Sequence, residues 1–359
     1  MDTQLQSTEK RREHLNRLQN IHKPVLLDEC VHLVVPAASQ PGSWIVDCTE
    51  GLAGHTTAFL KAAPNARVLG IDRDREALSL AQERLREEGL EDRFLPVHAP
   101  FDQFEAILAD VGISQVSAVF MDLGLSSLQI DERDRGFSYN QDAPLDMRMD
   151  SGQELTAAYV VATYSCEDLT RIFKTYGEER FANKIARKIV EVREKEPLTS
   201  SAQLSALVDQ CIPRSHRAPG NPAKRVFQAL RIEVNGELDK LVSTLPQAAA
   251  HLQVGGRLVV ESYHSLEDRA VKQFMASGLR VNLPPGLPVI PEQAQPFFAD
   301  LTHGALKASP EQVTDNSRSA SVRLRGVELT RTIPAHRVQL WRTEAVQHTH
   351  RQHLERRRA

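Results

Sequence analysis

At 359 residues the chain is long enough for two domains, or for one domain carrying a large insertion. Its 41% hydrophobic and 25% charged composition is that of a globular chain, and no apolar run approaches the ~20 residues of a membrane span. A net charge of −3 gives no bulk attraction to nucleic acid.

The first stretch, residues 1–20, reads as a flexible N-terminal extension, polar and without the apolar core of a secretory signal. Four cysteines, Cys30, Cys48, Cys166 and Cys211, are scattered with no C-x-x-C pairing. That pattern argues against a zinc site and a disulfide framework, so no metal is expected, and it favours a reducing, cytoplasmic setting.

From Trp44 the chain alternates short apolar runs with helical patterns. Trp44–Asp47 reads as a strand ending in an acid, and a small-residue loop and a helix at His55–Ala63 follow it. Arg67–Asp72 is a second such strand, and Arg73–Glu88 carries Ala77, Leu80, Ala81 and Leu85 at helical spacing. Phe94–Val97 is a third strand whose proline points to an edge, Phe101–Leu108 a helix, and Val116–Asp122 a fourth strand. The alternation predicts a parallel sheet covered on both faces.

After Asp122 the rhythm breaks. Residues 131–231 show no buried strand, and helices are expected at Ser165–Tyr176, Arg180–Lys195 and Ser201–Gln210. A helix near Gly236–Leu252, with Pro246 a candidate break, leads to the strand Arg257–Tyr263 and a helix at Leu266–Met275. Residues 281–315, rich in Pro and Gly, read as a long loop or lid, and Ser321–Arg325 as a terminal strand. The expected fold class is therefore α/β: a Rossmann-like sheet domain of residues 21–130 plus 232–330, an inserted, mostly helical domain of residues 131–231, and a basic C-terminal tail at 331–359.

The loop Asp47-Cys-Thr-Glu-Gly-Leu-Ala-Gly-His55 sits where open α/β sheets bind ligands. Asp72, ending the second strand, is placed to accept both hydroxyls of a ribose, a device that serves NAD and S-adenosylmethionine alike. The loop lacks the Gly-x-Gly-x-x-Gly spacing that surrounds a pyrophosphate. Asp47 suits a sulfonium or ammonium charge instead. Taken alone the loop is an ordinary strand–turn–helix, and Phe101 and Asp122-Leu-Gly124 at further strand ends tilt it toward an adenosyl ligand.

Seven segments then occur in order: His22-Lys-Pro-Val-Leu-Leu-Asp-Glu29, Asp122-Leu-Gly-Leu-Ser-Ser127, Arg135-Gly-Phe-Ser138, Pro144-Leu-Asp-Met-Arg-Met-Asp150, Tyr176-Gly-Glu-Glu179, Phe227-Gln-Ala-Leu-Arg-Ile232 and His264-Ser-Leu-Glu-Asp-Arg269. Together they resemble the RsmH (MraW) family of ribosomal RNA methyltransferases from about His22 to Arg325. The resemblance implies a class I methyltransferase that uses S-adenosyl-L-methionine to methylate N4 of a cytidine in the decoding region of bacterial small-subunit (16S) rRNA. It implies cofactor contacts at Ala53, Gly54, His55, Asp72, Phe101, Asp122 and Gln129. The implied partner is small-subunit rRNA within an assembled or nearly assembled 30S particle, with a homodimer as a candidate assembly. The chain departs from the family pattern at Ala53, where glycine is usual, at Leu128 and Ser317, where proline is usual, and at Ala320, where arginine is usual. It departs again at Glu261, on a strand normally apolar there. An alanine held at positive φ at position 53 would cost about 1 kcal/mol.

Methylation of the cytosine amine calls for an acceptor that takes an N–H hydrogen bond as the nitrogen pyramidalises. The candidates are Asp122, which competes with a cofactor-binding role, then His264 and Glu267. His264 equally suits a helix start, and Glu267 equally favours the N-terminus of the helix it opens. Asp146, Arg148 and Asp150 read better as structural braces. For RNA, Lys184 and Arg187 share a helix face with Arg180 and Lys188, and Arg225 and Arg231 flank Phe227 in a stretch free of acids from Cys211. Solvated surface and a core Phe227 are the plain alternatives. The competing functions are a non-catalytic RNA-binding or ribosome-assembly factor on the same fold and, more remotely, an NAD-type oxidoreductase.

Overall fold

The computed structural model describes residues 24–126, 129, 132–139, 142–217, 221–280 and 294–358. The expected N-terminal extension and Leu128 lie outside the described residues. The chain forms two compact units, one of Met1–Gly124 with Lys240–Glu344, the other of Leu125–Asp239 with Ala345–Ala359.

The first unit is built on seven strands: β1 (Trp44–Asp47), β2 (Arg67–Asp72), β3 (Phe94–His98), β4 (Val116–Asp122), β5 (Leu252–Ser262), β6 (Phe298–Asp300) and β7 (Arg323–Leu329). Their order is β3-β2-β1-β4-β5-β7-β6. Strands β1 to β5 pair in parallel, and β3, with its proline, is the outer strand on that side. The all-parallel expectation fails at the other side, where β7 runs antiparallel to β5 and β6 antiparallel to β7. β7 alone therefore opposes the direction of the other strands, and one antiparallel strand near the edge of an otherwise parallel sheet is common.

Alternate residues of the central strands face opposite layers, as a period of two requires. Ile45, Val68, Phe120 and Val259 point into one core, with Phe59, Leu60 and Leu33. Val46, Leu69, Val119 and Val260 point into the other, with Phe104, Leu241 and Val271. The helices that cover these faces are α1 (Leu27–Val34), α2 (Gly54–Ala62), α3 (Arg75–Glu87) and α4 (Phe104–Asp110), then α10 (Glu237–His251) and α11 (Ser265–Leu279). Each fully buried Ile, Leu, Val or Phe contributes about 1.5–3 kcal/mol of transfer free energy.

Helix α10 runs unbroken through Pro246, although that residue has no N–H to donate. Leu245, Ala248 and Ala249 on the same helix are buried in the sheet core, and that packing overrides the local penalty. Residues 281–315 are not one loop: they include β6 and α12 (Pro310–Asp315), whose Ser309 and Gln312 form a capping box. Nor are residues 331–359 a plain tail. They contain α13 (Ala335–Arg358), and Trp341 on it is 2% exposed, stacked on Phe298 at 5.8 Å.

The second unit is helical: α5 (Ala157–Thr163), α6 (Cys166–Thr175), α7 (Ala182–Arg193), α8 (Ser201–Cys211) and α9 (Lys224–Asn235). Ser165 and Ser200 cap α6 and α8 by accepting from Asp168 N and Gln203 N. Asn235 Nδ2 donates to Met147 O at 2.7 Å, and Met149 N donates to Asn235 Oδ1 at 2.9 Å, pinning the Pro144–Asp150 loop to the end of α9. In that loop Arg148 holds Asp146 with two bonds, Nε to Oδ1 at 2.8 Å and Nη2 to Oδ2 at 2.7 Å. Helices α5 and α9 were not foreseen as elements. α9 lies largely in the basic, acid-free stretch after Cys211, and its burial of Val226, Phe227 and Leu230 decides its form.

Candidate active site

Parallel pairing of β2, β1 and β4 brings three acids, Asp72, Asp47 and Asp122, to the carboxyl ends of neighbouring strands. Each is tied down locally. Asp47 Oδ1 accepts from Thr49 N at 2.9 Å. Asp72 accepts from Gly51 N at 2.8 Å and from Asp74 N at 2.9 Å, which fastens the loop to β2. Asp122 N donates to Thr49 Oγ1 at 2.7 Å, and Asp122 Oδ1 accepts the Tyr263 hydroxyl at 2.7 Å.

A fourth carboxyl, Glu50, is buried beneath the loop, with Thr56 Oγ1 donating to its Oε2 at 2.7 Å and its Oε1 unpartnered. It lies against Gly70 of β2, where any Cβ would collide with it. Burial raises the pKa of every member of this set. Asp47 is pushed up to about 7, and Glu50 well above the usual carboxylate range with Asp47 adding repulsion. Asp72 and Asp122 are also raised, although hydrogen bonds to both act in the opposite direction.

The loop ends in Ala53, wholly buried at φ 59° and ψ 31°, the left-handed N-cap of α2. This is the positive-φ geometry in which alanine is strained and glycine is not. Gly54 follows with Pro24 packed against it so closely that a Cβ would meet Pro24 Cγ at 2.7 Å. His55 contributes backbone to the loop, while its ring turns into the core, tilted on Phe120 at 4.6 Å, with Nε2 at 3.1 Å from Val25 O. Burial lowers its pKa, so the imidazole is neutral. Phe101 is half-buried just beyond β3, its carbonyl accepting from Thr244 Oγ1 at 3.3 Å.

The remaining sequence-derived candidates separate by location. His264 is the N-cap of α11, and Glu267 closes a capping box with it: Oε2 accepts from Tyr263 N at 2.9 Å and from His264 N at 3.2 Å. Both side chains therefore serve the helix start, and Glu267 is 2% exposed. Gln129 lies in the second unit, its Oε1 accepting from Ser126 N at 3.2 Å. There, Lys184 and Arg187 are exposed on α7, opposite its buried Ile185 and Ile189. Arg225 is exposed and donates to Glu178 O at 3.2 Å. Arg231, by contrast, is turned inward into an ion pair with Glu237 at 2.9 Å, the two side chains 15% and 8% exposed. Phe227 is buried, edge-on to Tyr139 at 5.9 Å, and offers no face to a base. Phe227 thus takes the core alternative, and Arg231, expected to contact RNA, is ion-paired instead.

Sequence reading passed over Tyr263, Thr49, Glu50 and Cys30. Hydroxyls and a buried thiol carry no spacing signature, and only the register Asp122↔Glu261 between β4 and β5 sets Tyr263 beside Asp122.

Among the described residues no Lys or Arg is ion-paired to Asp47, Asp72 or Asp122, and such acids suit a ligand that carries positive charge without phosphate. The residues present therefore fit S-adenosylmethionine, with its sulfonium and ammonium, and not a dinucleotide. Residues 19–330 match the model of the MraW methylase family. The chain is 66% identical to ribosomal RNA small subunit methyltransferase H of Bifidobacterium longum, over 88% of both chains. It is 50% identical to the protein of that name from Streptomyces avermitilis, over 87% of this chain and 98% of the relative. Among solved structures, an rRNA methylase from Streptococcus thermophilus is similar at 12% identity and a TM-score of 0.39, covering 85% of this chain and 94% of that one.

Proposed function

The chain belongs to the MraW methylase family, and we propose from that membership how its own residues carry out the family's reaction. It is an S-adenosylmethionine-dependent rRNA methyltransferase that acts on N4 of a cytidine of small-subunit (16S) rRNA. The observation that carries the reading is the 66% identity to a small-subunit rRNA methyltransferase H over 88% of the chain. The three strand-end acids, lacking phosphate-binding loop geometry, agree with it.

When bound, S-adenosylmethionine supplies a methyl group made electrophilic by its sulfonium. Ala53, Gly54 and His55 would offer backbone at the loop, where the absence of a Cβ on Gly54 lets Pro24 close against it. Asp72 faces the ribose hydroxyls with the lone pairs that its two backbone donors leave free. Phe101 would offer an apolar wall to adenine, and Gln129 is the remaining residue that the family resemblance assigns to the cofactor.

Asp122 has two carboxylate oxygens with different tasks. Oδ1 is held by Tyr263, which fixes the carboxylate plane. Oδ2 is the proton acceptor: transfer of the methyl from sulfur to nitrogen would leave the S–C electron pair on sulfur and one proton too many on the amine, and that proton passes to this oxygen. Its raised pKa makes the carboxylate a better base than an exposed aspartate. His264 and Glu267 act at one remove, by starting α11 directly after Tyr263.

For RNA, the exposed Lys184, Arg187 and Arg225 contact the phosphate backbone. The substrate is the assembled or nearly assembled small subunit. Radiolabelled methyl transfer to subunits from a strain lacking this modification, with naked small-subunit rRNA in parallel, tests both statements. Mass spectrometry of the product nucleoside must show N4-methylcytidine. Absence of incorporation into the subunits overturns the reading, and equal transfer to naked RNA overturns the particle requirement. Calorimetric binding of the cofactor, lost in Asp72→Ala, separates a failed substrate from a failed cofactor site.

A further inference from the structure

Three side chains that the reaction does not use converge in the core of the sheet unit. They are Cys30 on α1, the His55 ring on the first turn of α2, and Glu261 on β5. One ligand atom from each lies within 4.8 Å of the other two, and His55 Nε2 is 3.6 Å from Glu261 Oε2. All three are buried, with Cys30 and Glu261 at 0% exposure. Neither oxygen of Glu261 meets a donor in good hydrogen-bond geometry, and the groups that adjoin it are the Cys30 thiol and the Asp122 carboxyl.

A buried carboxylate with no well-aligned donor costs several kcal/mol, more than its methylenes gain by burial. Only a proton or a cation removes that cost. No Lys or Arg supplies the charge: the groups that act most strongly on Glu261 are Asp122, Cys30 and Glu29. The same neighbours act on the Cys30 thiol, which burial already pushes up. The titratable groups that act on Cys30 and Glu261 are thus all acids, and of the three side chains Arg84 acts only on His55, at longer range.

The donor set is one sulfur, one imidazole nitrogen and one carboxylate oxygen, a combination suited to zinc. The orientation of His55 fits as well. Its Nε2 faces the cluster while Nδ1 points at Asp122 Oδ2, 3.8 Å away. A carboxylate behind the non-coordinating nitrogen is the usual device that fixes the tautomer of a metal-bound histidine. Val25 O, at 3.1 Å from Nε2, stands where a fourth ligand is needed.

We propose that Cys30, His55 and Glu261, with the Val25 carbonyl, bind one Zn2+ that clamps α1 and α2 to β5. On binding, the Cys30 S–H bond and the Glu261 O–H bond each release a proton to solvent as S–Zn and O–Zn bonds form. His55 stays neutral with its proton on Nδ1, so the dication and two anions leave the site uncharged. All ligands are buried, so the ion is structural and no position is open to substrate. The site shares Asp122 with the methyl-transfer reading, since its Oδ2 faces His55 Nδ1, but the cobalt and zinc readouts below do not depend on methyl transfer.

The test uses the full chain, stripped of metal by chelator and titrated with Co2+. One equivalent is expected to produce the visible bands of a tetrahedral site and a thiolate-to-cobalt charge-transfer band, both displaced by one equivalent of Zn2+. Cys30→Ser should lose the charge-transfer band, and Glu261→Gln should weaken Zn2+ by about tenfold or more against a chromophoric chelator. A wild-type chain that shows no cobalt band and retains no zinc through gel filtration overturns the proposal, and the cluster is then a protonated thiol–carboxyl pair. The wild-type spectrum decides this even where a variant fails to fold.

Discussion

The Tyr263 hydroxyl donates to Asp122 Oδ1 at 2.7 Å, joining the carboxyl end of β4 to the residue that follows β5. A hydrogen bond to a carboxylate is worth about 1.5–3 kcal/mol. Tyr263→Phe removes the hydroxyl alone and leaves the ring in place. It should lower kcat/KM for methyl transfer by about 10- to 100-fold. The split between constants assigns the role of Asp122. A fall in kcat at unchanged KM for the cofactor marks a proton acceptor held in place, whereas a rise in KM marks a cofactor holder. A change under about twofold in both removes Tyr263 from the site.

Ala53 caps α2 in the left-handed region with no exposed surface. Glycine adopts that geometry without the Cβ clash, so Ala53→Gly should stabilise the protein by about 1 kcal/mol, even after the greater entropy of glycine in the unfolded chain. For a domain of this size the melting temperature should rise by about 2–4 °C. Cofactor affinity measured by calorimetry should hold or improve. A lower melting temperature would show that the buried Ala53 methyl contributes more by packing than it costs in strain.

Asp47 gives the sheet unit a pH dependence opposite to that of a paired carboxylate. Burial raises its pKa from 3.8 in the unfolded chain to about 7 in the fold. The folded state therefore binds more protons between those values, and stability falls as pH rises through the window, then levels above about 7. A rise of that size corresponds to about 4 kcal/mol, shared with the neighbouring Glu50. Asp47→Asn keeps the acceptor for Thr49 and cannot ionise. Thermal melts of the cofactor-free protein at pH 5.5 and 8 should show a loss of stability on going alkaline that is smaller in the variant. An equal loss in both would place the titration elsewhere.

The loop from Asp47 to His55 and the strand-end acids were legible because their chemistry lies in contiguous residues at strand ends. The strand Arg67–Asp72 reads from its apolar run, and it forms with those bounds. Distant register is what the sequence hides. Nothing near Cys30 announces Glu261, and Tyr263 meets Asp122 only because β4 and β5 pair. Trp341 was invisible as core, since it sits alone in a polar stretch and acquires its partners Phe274 and Phe298 from the fold. Arg231 misled for the converse reason. A basic residue in an acid-free run reads as surface, and its acid, Glu237, comes six positions later, beyond the turn at Gly236.

That contrast among the arginines and lysines of the second unit gives the last prediction. Arg231 and Glu237 form an inward ion pair, and removing one partner strands a buried charge. Arg231→Ala should cost about 3–5 kcal/mol, seen as a lower urea midpoint. Lys184 and Arg187 are exposed on α7 away from its buried face, so replacing both with alanine should change stability by less than about 0.5 kcal/mol each. Their effect should appear in RNA binding instead. Each contact to a single-stranded phosphate contributes about 0.7 to the slope of log K against log salt, so the double variant should flatten that slope by about 1.4. Fluorescence anisotropy with small-subunit rRNA across a potassium chloride series reads the slope directly. An unchanged slope would move the RNA path off this face of α7, whereas an Arg231→Ala protein of unaltered stability and weakened RNA binding would return Arg231 to the interface.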